Sequence, residues 1–142
     1  MSELILLPEE IEQILKKYRQ SRERIHGYQN KKLKAPRIRD VIFAASEVFG
    51  VPHDNILSDR RSRDVVIARH TAMYVAYKIT FCSTTMVGKA FGNRDHTTVI
   101  HAVKKLEVMV EEGREDVIKN VEEIKAKAIA LKREWLDAKV DG

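Results

Sequence analysis

Asp95, His96, Thr97 and Thr98 are four polar side chains in a row, followed one turn later by His101, Lys104 and Lys105. Catalytic templates do not fit them. His96 and His101 are five apart, whereas a helical metal pair wants a spacing of four, and no carboxylate is placed to complete a site. Asp95 beside His96 suggests acid–base work, but Asp followed three residues later by Thr98 is equally a helix N-cap. The sequence has no Gly-rich phosphate loop, no Gly-x-Ser-x-Gly elbow and no cysteine pair for zinc. No enzyme, metal site or cofactor is expected. A helix that opens with short polar groups and continues into lysines instead suits insertion into a DNA major groove.

Such a helix needs a frame. From Asp95 the apolar residues Val99, Ala102, Val103, Leu106 and Val110 recur on one face. Before it, Gly92 and Asn93 can take the positive φ of a tight turn. A short helix from Thr84 to Phe91 precedes the turn, with Ser83 as its N-cap and Met86, Val87, Ala90 and Phe91 as its core face; Gly88 allows a neighbour close approach. A longer helix, Asp64 to about Ile79, offers Val65, Ala68, Ala72, Val75, Ala76 and Ile79 for burial. Between Leu57 and Asp64 lie Arg60, Arg61 and Arg63 with Ser58 and Ser62. This cluster either brackets a phosphodiester backbone, sends an arginine into a narrow minor groove, or is an exposed basic loop.

The remaining elements are helical too. Ile38, Val41, Ile42, Ala45, Val48 and Phe49 form a first core helix stopped by Gly50 and Pro52. Pro8-Glu9-Glu10 opens an amino-terminal amphipathic helix that Gly27 ends, and a basic linker runs to Pro36 as a candidate arm on DNA phosphates or a solvated stretch. After Gly113, Val117, Val121, Ile124, Ala128, Leu131 and Trp135 make a heptad seam, for a dimer or for packing on the amino-terminal helix of the same chain. The chain reads as all-α, divided into residues 1–36, 37–112 and 113–142. Its net charge of +5 modestly favours a polyanionic partner. A single cysteine, Cys82, excludes an internal disulfide and fits a reducing compartment. Leu4-Ile5-Leu6-Leu7 is too short to span a membrane, so a cytoplasmic location is expected.

The run GNRDHTTVIHAVKKLE resembles the carboxy-terminal DNA-binding domain of the bacterial replication initiator DnaA, where an RDHTTV-type signature marks the recognition helix. The likeness extends to Leu57–Arg63, Ala68–Tyr74 and Gly88–Phe91, and covers roughly Arg37 to Val110. It implies a compact helix-turn-helix domain, similar to the Trp-repressor type, in which Asp95, His96 and Thr97 contact base edges and Arg61 enters the adjacent minor groove. It also implies backbone contacts from Ser62, Arg63, Arg69, Thr98, His101 and Lys105, with Ile100 adding apolar contact. An aspartate accepts from a cytosine amino group, a histidine donates to a purine acceptor, and a threonine methyl packs on a thymine methyl. The chain departs from the family in three places. It lacks the ATPase module, has Thr84-Thr85-Met86 where Leu-Pro-Glu is frequent, and carries His70 and Tyr77 at positions usually of other types. The expected partner is double-stranded DNA at DnaA-box-like sites, in replication initiation or transcription control. The alternative is a protein-interaction module that uses the terminal helices, as a homodimer or with another protein.

Overall fold

Helix α4, Arg63–Ile79, is the element around which the others pack, and its composition explains why. Ala68, Ala72, Met73, Val75 and Ala76 are fully buried, and the alanines let neighbouring helices approach on several sides at once. Helices α2 (Ile38–Phe49), α3 (His53–Leu57), α5 (Thr84–Ala90), α6 (His96–Glu111) and α7 (Glu115–Asp141) all touch it.

The computed structural model describes residues 8–17 and 34–141, with side chains through residue 139. The chain divides into two compact units, residues 1–33 and 34–142. In the first, residues 8–17 form helix α1, with Ile11, Ile14 and Leu15 exposed. The expected end of that helix at Gly27, and most of the basic linker, lie outside the described residues. Among the described residues every regular element is a helix, so the fold is all-α as expected. No helix among them is long and apolar enough to cross a membrane.

Local chemistry sets the boundaries in the second unit. The Arg37 backbone N–H donates to Asp40 Oδ2 at 2.9 Å and its guanidinium to both carboxylate oxygens at 2.8–2.9 Å, which caps the start of α2. Burial alone raises the Asp40 pKa, but the hydrogen bonds from Arg37 outweigh it and hold the carboxyl below 3.8. Gly50, at φ 64°, ends the helix in the left-handed region. Residues 53–57 close into one helical turn that buries Ile56 completely.

The heptad seam of α7 is occupied within the chain. Val121, Ile124 and Ala128 are buried where α7 packs on α2 and α4, and Trp135 sits half-buried at the far end. Its ring takes three cations: Arg37 at 4.4 Å, Lys132 at 4.6 Å and Lys139 at 4.0 Å from the centroid. Arg37 thus both caps α2 and holds the end of α7.

Candidate nucleic-acid interface

The helix-turn-helix is built from caps and glycine contacts. Ser83 Oγ accepts from Met86 N at 3.2 Å and starts α5, whose Val87 is completely buried, as is Phe91 just beyond it. Met86, read as core, is instead 56% exposed. Val87 and Phe91, four apart, already fill the face toward α4 and α6, and Met86 lies about 100° around the helix from Val87. The turn follows with Gly92 at φ 79° and Asn93 at φ 59°. The Arg94 backbone N–H donates to Gly88 O at 2.8 Å, and a Cβ on Gly88 would stand 2.3 Å from the Arg94 carbonyl oxygen. Only glycine fits this close approach of α5 to the turn.

Asp95 then caps α6, its Oδ1 accepting from Thr97 N at 3.3 Å. The same oxygen lies 2.8 Å from His96 Nδ1. A neutral His96 held this way carries its proton on Nδ1 and keeps Nε2 as an acceptor. Val99, Ala102, Val103 and Leu106 are buried beneath, so the first turn of α6 is anchored from below while Asp95, His96, Thr97 and Thr98 are exposed. His101 and Lys105 are exposed farther along the same helix.

The basic loop leaves α3 at Ser58 in extended conformation. Ser58 Oγ donates to Asn55 O at 2.7 Å and accepts from Arg60 N at 3.2 Å, and Arg61, Ser62 and Arg63 are exposed. Arg61 and Thr98 line a common cleft together with Asp59, Val66, Arg69, His70 and Arg94. The loop and α6 therefore border one concave, cationic surface. His70, inside this surface, has its pKa pushed below 6.5 by burial first, then by Lys105, Arg69 and Arg94. Arg69 is likewise lowered by burial and by Arg94, with Asp59 opposing.

Of the eleven residues expected to meet DNA nine are thus exposed, Ile100 is half-buried, and the exception among the polar ones is Arg69. It is only 5% exposed, with Nε donating to Ile56 O at 2.7 Å and Nη2 to Asn55 O at 3.1 Å and Ser58 O at 2.7 Å. Three hydrogen bonds to the chain's own backbone engage this side chain. Four residues that line the cleft, Asp59, Val66, His70 and Arg94, were absent from the expected site. Arg94 stands inside the RDHTT run itself, but the reach of its side chain depends on a loop 36 residues earlier.

Comparison with known proteins agrees with this geometry. Residues 38–106 match the family described as the bacterial dnaA protein helix-turn-helix. That segment runs from α2 through most of α6. Among relatives, the chromosomal replication initiator protein DnaA of Bradyrhizobium sp. strain BTAi1 is 35% identical over 119 residues, covering 84% of this chain and 23% of the relative. The DnaA of Bradyrhizobium sp. strain ORS 278 is 38% identical over 92 residues, covering 65% and 19%. That of Bartonella quintana is 45% identical over 74 residues, covering 52% and 15%. The chain spans less than a quarter of the length of these DnaA proteins. It carries a DnaA-type helix-turn-helix DNA-binding domain, and α1 and α7 lie outside the matched segment.

Proposed function

We propose that this protein binds double-stranded DNA sequence-specifically at sites similar to DnaA boxes and acts in the control of replication initiation. The observation that carries this reading is the pairing of two exposed elements on one cationic cleft: the capped first turn of α6 and the arginine loop. With α6 in the major groove, Thr97 and His96 reach base edges. With Nδ1 held by Asp95, the Nε2 of a neutral His96 accepts from a cytosine or adenine amino group. Asp95, committed to Thr97 N and His96, chiefly orients these readers and has its second oxygen for a cytosine amino group.

Arg61 enters the neighbouring minor groove from the loop. Ser62, Arg63, Thr98, His101 and Lys105 meet phosphates and set register, a task that carries no sequence information. The related initiators' names supply the replication context, and regulation of transcription from the same sites uses the same contacts. The test is a binding comparison between a duplex bearing a DnaA box and a scrambled duplex of equal length. The box should bind at least about 1,000-fold more tightly at physiological salt, the low end of specific over non-specific binding. Equal binding would refute sequence recognition.

A further inference from the structure

Two arginines converge on the residues from which the basic loop departs. Arg69, from α4, donates to the carbonyls of Asn55, Ile56 and Ser58. Arg94, from the turn before α6, donates to Phe91 O, to Leu57 O at 3.4 Å and to Ser58 O at 2.5 Å. Ser58 O therefore accepts from both guanidiniums. The turn also touches this segment through Gly92, where an added Cβ would lie 2.3 Å from Leu57 O.

Four successive carbonyls, Asn55 to Ser58, are thus gripped from the helix-turn-helix and from α4 together. None of the partners is a carboxylate. Arg94 is immediately followed by the reading turn Asp95-His96-Thr97, and Ser58 is three residues before Arg61. Any change in the Arg94–Ser58 contact moves one reader relative to the other. A misplacement of about 1 Å at a binding constellation is enough to lose its recognition.

We infer that Arg94, assisted by Arg69, is a positioning residue that locks the arginine loop to the recognition helix, so that minor-groove and major-groove readers act as one unit. A planar fork with five donors can bridge three carbonyls of two segments; a lysine ammonium keeps the charge but not that span. The inference rests on the DNA-binding reading above, and its test separates the two.

The experiment uses the full chain with Arg94→Lys, and Arg69→Lys as a second variant at the same carbonyls. In the free protein, backbone order parameters of amides 58–62 should fall from about 0.85 toward 0.6 or below, while those of α4 and α6 stay unchanged. On the box duplex, Arg94→Lys should weaken binding roughly ten-fold, and Arg61→Ala combined with it should cost no more than the larger single loss. On the scrambled duplex both affinity and salt slope should hold. Unchanged loop order in both variants overturns the lock, as do additive losses in the double variant, which would make Arg94 an independent contact. A wild-type protein that does not discriminate the duplexes refutes the DNA reading alone, because the order parameters still decide the lock.

Discussion

The cations around the loop–α6 cleft and those along the α2–α7 seam are engaged differently, although Lys78 of α4 also pairs with Glu107 of α6 at 2.9 Å. On the α2–α7 side, Arg37 pairs with Asp40, Lys127 with Glu47 and Lys125 with Glu122, and Lys132 and Lys139 lie over the Trp135 ring. On the loop–α6 side, Arg60, Arg61, Arg63, Lys104 and Lys105 have no carboxylate partner among the described residues, and Arg69 and Arg94 bond only backbone carbonyls. Between Ser58 and Lys105 the only acids are Asp59, Asp64 and Asp95. The difference teaches what each side is for. Charge that is matched inside the chain contributes to folding; charge left unmatched around a cleft raises the local potential for a polyanion.

The comparison breaks most readily at the α2–α7 seam. Ile124→Ala should lower unfolding stability by about 2–5 kcal/mol, because a fully buried side chain leaves a cavity. Denaturant titration measures it, and the folded fraction should bind the box duplex with unchanged affinity. A large loss of affinity in still-folded protein would mean the two sides are not separable. On the opposite side the expected pattern reverses. Thr97→Ala or His96→Ala should cost about 1–3 kcal/mol on the specific duplex only, with the melting temperature nearly constant because both side chains are exposed.

Acid titration sharpens the same contrast. Asp40 has a pKa held below 3.8 by Arg37, so its contribution to stability is complete above that value and is lost as the pH falls through the lower, folded one. His70 has its pKa lowered from 6.5, so its contribution is complete above about 6.5 and is lost earlier, as the pH drops from there toward its folded value. Stability against pH should therefore show two descents. His70→Gln should remove the higher one and Asp40→Asn the lower; a His70→Gln curve identical to wild type between pH 7 and 5 would contradict the assignment. The smallest effect is expected from Arg63→Ala or Lys105→Ala. Each should weaken binding to every duplex alike and make the salt slope shallower by about one unit; loss confined to one base position would make that residue a reader.

What the residues disclosed unaided were features set within a few positions along the chain. Ser83 and Asp95 as caps, the stop at Gly50, the positive φ of Gly92 and Asn93 and the close approach at Gly88 depend on neighbours one turn or one tight bend away. Periodicity likewise disclosed the core faces of α2, α4 and α6, and the motif pointed to the exposed turn that the structure presents. Met86 escaped because its hydrophobicity fits a core face, while its angular position on α5 turns it outward.

Three things were decided only by tertiary structure. The seam of α7 had a second copy and the amino-terminal helix as candidate occupants, and only packing showed that Val121, Ile124 and Ala128 dock on α2 and α4. Arg69 carries the same charge as its neighbours, and only the meeting of α4 with α3 turns it from the solvent to three carbonyls. Arg94 sits inside the most legible motif of the chain, yet its partner carbonyl lies 36 residues away. A cap or a turn is a short-range hydrogen bond that a sequence encodes locally, whereas a guanidinium with five donors has no preferred partner until packing brings one within reach.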